Sequence, residues 1–109
     1  MATVRLDGTK LIDWPAFHAE CRREFGFPDF YGNNMDAWVD CLSYLRDDDG
    51  MCRFRLAPDE VLHIEVAGAS ALRAKAPEIA EELVFCVDAI NERYADYGEK
   101  PALDLVFIS

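Results

Sequence analysis

The feature that most narrows the fold is the C-terminal segment Leu103-Asp104-Leu105-Val106-Phe107-Ile108, apolar at every position except Asp104. A strand with one wet face alternates apolar and polar residues, so a nearly unbroken apolar run is the pattern of a strand covered on both faces. Such strands belong to parallel sheets with helices laid against them. With 109 residues, 51% of them hydrophobic, the chain is long enough for one packed core, and we read 1–109 as a single domain.

The rest of the chain supplies further strands and the helices between them. Thr3-Val4-Arg5-Leu6 reads as a short strand running into a turn at Asp7-Gly8. Asp13 is suited to cap a helix, Pro15 is tolerated in its first turn, and Phe17, Cys21 and Phe25 recur at helical spacing until Gly26. That predicts a helix over 14–25. After Pro28 and the Gly32-Asn33-Asn34 turn, Asn34 caps a second helix that runs to about Leu45. The acidic run Asp47-Asp48-Asp49-Gly50 is expected to be a solvated loop.

Cys52, Phe54 and Leu56 then alternate with Arg53 and Arg55, and Leu62, Ile64 and Val66 alternate with His63 and Glu65. With turn chemistry at Pro58-Asp59, this predicts a hairpin with a loop over 57–61, setting Cys52 against Val66, Phe54 against Ile64 and Leu56 against Leu62. Pro77 opens a long helix whose buried stripe is expected to be Ile79, Leu83, Cys86, Ile90 and Tyr97, and Gly98 ends it. Helices fall between strands, so the fold class is α/β with a small, mainly parallel sheet and an extra antiparallel strand over 51–56.

Charge excludes one large class of function. Asp and Glu number 21 against 11 Lys and Arg, a net charge of −10, which argues against direct binding of nucleic acid through its phosphates. No apolar run approaches the ~20 residues that span a bilayer, and the N-terminus lacks the basic-then-apolar pattern of a signal peptide. A cytoplasmic protein with no membrane partner is expected. The cysteines at 21, 41, 52 and 86 are widely spaced, so reduced thiols are expected rather than a disulfide framework. Cys-x-x-Cys, His-x-x-x-His and glycine-rich phosphate loops are absent, so no metal or other cofactor is expected.

The second helix carries the functional signal. At about 100° per residue, Met35, Trp38, Leu42 and Leu45 share one narrow arc, while Asp36, Asp40, Ser43 and Asp47 lie on the opposite side. Charged helix faces are usually just solvated. Here, however, Asp36 and Asp40 form a like-charge i,i+4 pair, and neither has a Lys or Arg three or four positions away. Asp36 gains from the helix N-terminus, whereas Asp40 lies beyond the first turn, so helix stability gives no reason for it. Asp40 is expected to stand unpaired on the free surface. Segments 29–49 and 78–99 carry net charges of −5 and −6, and two such helices together form a field that attracts a basic partner.

The run Phe30-Tyr31-Gly32-Asn33-Asn34-Met35-Asp36-Ala37-Trp38-Val39-Asp40-Cys41-Leu42 resembles the signature of the barstar family of ribonuclease inhibitors, and the likeness extends over about 13–45. The resemblance implies a three-stranded parallel sheet packed on helices, and an inhibitor, not an enzyme, that plugs the active site of a basic extracellular ribonuclease of the barnase kind or a related toxin nuclease. It implies that Asp40 takes the phosphate site and pairs with catalytic cations, that Asp36 and Asn34 meet the rim, and that Gly32 lets the backbones approach. It further implies that Phe30 covers a base-like surface and that Glu92 on the long helix makes a further acidic contact. The resemblance also places Tyr31 and Val39 on that surface. Phe30 stands where Tyr is found in the family and Val39 where Trp is common; segment 47–60 looks like an insertion. The differing reading is an acidic interaction or immunity module whose partner is a toxin or enzyme other than a ribonuclease.

Other constellations are weaker. His18 and Cys21 are three apart, but Cys21 lies on the apolar stripe with Phe17 and Phe25 and reads as a buried structural thiol. Alternation sends His63 and Cys52 to opposite faces, against a metal site. Asp36 and Asp40 lack the nucleophile and oxyanion donors of a hydrolase.

Overall fold

The computed structural model describes residues 2–46 and 52–108. Three strands, β1 (Ala2–Asp7), β2 (Leu62–Ala67) and β3 (Leu103–Ile108), form a parallel sheet in the order β1-β2-β3. Register places Val4, Ile64 and Leu105 side by side, and likewise Leu6, Val66 and Phe107. Val4, Leu6, Leu62, Ile64, Val66 and Leu103 are buried in the core. The alternate positions make a polar outer face, where Arg5 pairs with Glu65 at 3.5 Å and His63 with Asp104 at 3.1 Å.

This corrects the expectation that the last strand is covered on both faces. β3 is an edge strand with Asp104 exposed, Val106 38% exposed, and Leu105 and Phe107 half-buried. The polar residue in the apolar run marks the wet face: Asp104 lies in register with His63.

The helical layer forms where the caps predicted it. Helix α1 (Trp14–Phe25) begins where Asp13 accepts the Ala16 N–H at 2.9 Å and ends at Gly26, whose φ of 69° is left-handed backbone that a side chain would strain. Helix α2 (Met35–Leu42) begins where Asn34 accepts the Ala37 N–H at 2.8 Å, and it stops a turn short of Leu45. The sequence reading missed a third helix, α3 (Ala69–Lys75), whose seven residues bury only Ala69 and Leu72 and so show no sustained period. Helix α4 (Pro77–Asp96) buries Ile79, Leu83, Cys86 and Ile90 as expected. Its last core residue is Tyr94, not Tyr97, because the helix ends at Asp96 and leaves Tyr97 exposed beyond it. Helix α1 packs beside β1, α4 against β3, and α2 against α4.

The extra antiparallel strand over 51–56 and its hairpin are not formed among the described residues. The alternation itself holds: Leu56 is buried, Cys52 and Phe54 are half-buried, and Arg53 and Arg55 are exposed. Its cause is different. β2 has both edges taken by β1 and β3, so it offers no free ladder. The segment instead packs against the chain at and after the helix ends, with Arg53 N–H donating to Phe25 O at 2.9 Å and Leu56 N–H to Leu45 O at 2.7 Å. The solvated loop expected at 47–50 lies outside the described residues.

Arg46 ties this region together. Its side chain is only 5% exposed, and it donates to the carbonyls of Lys100 (2.8 Å), Glu60 (3.0 Å) and Pro101 (3.3 Å) while lying over the Tyr94 ring. One guanidinium thus binds the chain after α2 to the segments leading into β2 and β3. Among the described residues, no helix is long and apolar enough to cross a membrane.

Candidate functional site: the acidic helix and the loop before it

Eight residues make too short a helix to persist alone in water, so α2 depends on what it buries. Trp38 is fully buried, with its ring 6.5 Å from Phe17 and 6.0 Å from Phe25, and Leu42 and Leu45 are buried with it. Each such side chain contributes about 1.5–3 kcal/mol on burial. Met35 is half-buried, and Asp36 and Asp40 are exposed, as the helical arcs predicted.

The loop that leads into α2 is held from below. Tyr31 is buried, its ring 4.7 Å from that of Phe27, and its hydroxyl shares a 2.6 Å hydrogen bond with His18 Nδ1 on α1. Burial lowers the His18 pKa and pushes the Tyr31 hydroxyl up, so both groups are neutral at physiological pH. His18 therefore partners Tyr31 and not Cys21. Phe30, the neighbouring residue, is 77% exposed. Asp29 pairs with Arg22 at 3.0 Å.

Asn34 uses its amide locally: Oδ1 caps α2 and Nδ2 donates to Gly32 O at 3.2 Å. A Cβ on Gly32 would lie 3.1 Å from Asn34 Nδ2, so the glycine leaves room for the cap to close over it. Val39 is half-buried and its carbonyl accepts from Ser43 Oγ at 2.6 Å. Glu92 is exposed on α4.

Asp40 is not unpaired, as the sequence led us to expect. Arg93 of α4 reaches across, its Nη1 3.7 Å from Asp40 Oδ1 and 3.3 Å from Ser43 Oγ. No spacing rule within α2 could reveal this cation, because it comes from another helix. The available signal was Arg93 itself, the lone base in an otherwise acidic segment. With both side chains more than half exposed, the pair is screened by water and contributes a few tenths of a kcal/mol at most.

The cysteines all carry free thiols. Burial pushes the Cys41 thiol up to about 11 and Cys86 to about 12, and raises Cys21 further and Cys52 as well, so none is poised as a nucleophile. Among the described residues no three His, Cys, Asp or Glu side chains are grouped to hold a metal.

Fold and site together are those of a small two-layer α/β domain that presents an acidic helix to solvent. The chain belongs to the barstar (barnase inhibitor) family, whose model it matches over residues 1–106. This is an inhibitor family, not an enzymatic one. No curated protein matches the chain.

Proposed function

We propose that this protein inhibits a basic, secreted ribonuclease of the barnase kind by laying α2 and the loop before it into the enzyme's substrate cleft. Beyond family membership, one observation carries the reading: Asp36 and Asp40 stand in solvent on a helix whose large apolar residues are inside. Asp40 takes the place of a substrate phosphate and pairs with the nuclease's catalytic cations. Asp36 meets the rim, with Asn34 holding the helix start and Gly32 allowing close approach. Phe30, an aromatic ring that the fold leaves in water, covers a base-like surface. Val39 flanks Asp40, Glu92 adds a contact from α4, and Tyr31 supports the loop from beneath. The net charge of −10 draws a basic partner in and speeds encounter. Inhibition takes place in the cytoplasm that makes the nuclease.

The test is ribonuclease inhibition by the wild type and by Asp40→Ala, with thermal unfolding of both. The expected result is potent inhibition by the wild type and its loss in a variant that unfolds at nearly the same temperature. Equal inhibition by the two proteins sinks the reading, and binding to a basic toxin that is not a ribonuclease replaces it with an immunity role.

A further inference from the structure

Arg93 is the lone base among seven acids in 78–99, and the fold brings it to the one carboxylate on α2 that helix stability does not explain. We infer that Arg93 is a specificity-determining residue of the inhibitory surface: in the free protein it holds the carboxylate that a partner's cation must take, and so it handicaps partners whose cleft offers only positive charge. The inference rests on the proposed role of Asp40 in binding.

The argument is electrostatic and local. In water the Arg93–Asp40 pair is weak, because both side chains are exposed and their separation of 3.7 Å is beyond hydrogen-bond length. A partner that covers the pair removes that water. Asp40 then interacts more strongly with whichever cation is nearest, and Arg93 is left facing the partner's cations with less screening. A cleft that meets Arg93 with an acceptor is favoured over one that does not.

Arg93 also has somewhere to go. A cavity of about 330 Å³ opens beside it, lined also by Ser43, Tyr44, Arg46, Tyr94, Tyr97 and Glu99, with Glu99 Oε1 already 3.5 Å from Arg46 Nη1. Ser43 Oγ, whose proton is committed to Val39 O, already accepts from Arg93, and this contact holds the guanidinium at the cavity mouth when Asp40 is taken; Glu99, further along the wall, is shared with Arg46. Asp40 is released by rotating one exposed side chain, with no change in the backbone.

The experiment measures inhibition of a secreted basic ribonuclease of the barnase kind, chosen with no Asp or Glu on its cleft rim, by wild type, Arg93→Gln, Arg73→Gln and Asp40→Ala at low and high salt. Arg73 lies on α3 over the Phe107 ring, and its replacement changes net charge by the same amount away from α2. Arg93→Gln is expected to inhibit about three- to tenfold more tightly than wild type at low salt, with a smaller gain at high salt and a much smaller one for Arg73→Gln. Unchanged or weaker inhibition by Arg93→Gln overturns the inference, as does an equal gain from Arg73→Gln, which makes the effect one of net charge. If Asp40→Ala inhibits like wild type, the proposed binding role of Asp40 fails first, and the inference falls with it.

Discussion

The outer face of the sheet and the outer face of α2 are both charged, yet they treat charge in opposite ways. On the sheet, Arg5 meets Glu65 and the His63 ring meets Asp104 across neighbouring strands, so both carboxylates have a partner within the fold. On α2, two carboxylates stand four residues apart, and among the described residues it is Asp40 that has a cation near it, a borrowed one at 3.7 Å. A face that balances itself offers little to a charged partner. A face left in deficit can be completed by something outside, and that difference, more than total charge, is the ground for proposing α2 as the contact surface.

The largest expected effect breaks the comparison at its centre. Asp40→Ala should weaken ribonuclease inhibition by about 2–5 kcal/mol, the range known for truncating one side of a desolvated charge pair. Its folding stability should stay near wild type, because the i,i+4 repulsion and the weak Arg93 contact disappear together. Inhibition titration and denaturant unfolding on the same samples separate the two effects. A loss of inhibition that tracks unfolding would undo the assignment.

Next comes the support beneath the loop. Tyr31→Phe keeps the ring but leaves His18 Nδ1 buried without its partner, which should destabilise the protein by about 1–3 kcal/mol in a urea melt. A change near zero would mean that water replaces the hydroxyl. The same pair sets a pH dependence. Burial lowers the folded-state pKa of His18 below its unfolded value near 6.5, so between the two the unfolded chain binds the extra proton. Stability contributed by the neutral ring is whole above about pH 6.5 and is lost as pH falls through the unfolded and then the folded pKa. Thermal unfolding from pH 8 to 5 should show that decline, and His18→Asn should flatten it.

The smallest effect tests the balanced face. Asp104→Asn removes a surface partner of His63 and should change stability by less than about 1 kcal/mol and inhibition hardly at all. If it weakens inhibition as much as Asp40→Ala does, the two faces are not distinct in function and the comparison fails.

Much of this was legible from the chain, for identifiable reasons. The Asp13 and Asn34 caps, the Gly26 stop and the start at Pro77 depend on local chemistry, and local chemistry is what a sequence displays directly. The arcs of α2 were legible because Trp38 and Leu42 fix which side faces inward. Segments 52–56 and 62–66 show the limit. They carry the same alternation, yet one packs against the chain at and after the helix ends and the other is the central strand, since which segment fills a ladder depends on strands far away in sequence. The open face of β3, the short helix α3 and the reach of Arg93 to Asp40 are tertiary outcomes of the same kind.

The buried Arg46 guanidinium has a further consequence for how the molecule unfolds. It spans 14 residues to Glu60 and 54 to Lys100, so the chain after α2 cannot loosen without also releasing the approaches to β2 and β3. Local melting of α2 is therefore expected to be coupled to release of these approaches, and its amides should exchange with solvent at rates close to those of the sheet. A helix held this way would meet a partner already ordered, which spares the entropy of ordering on binding.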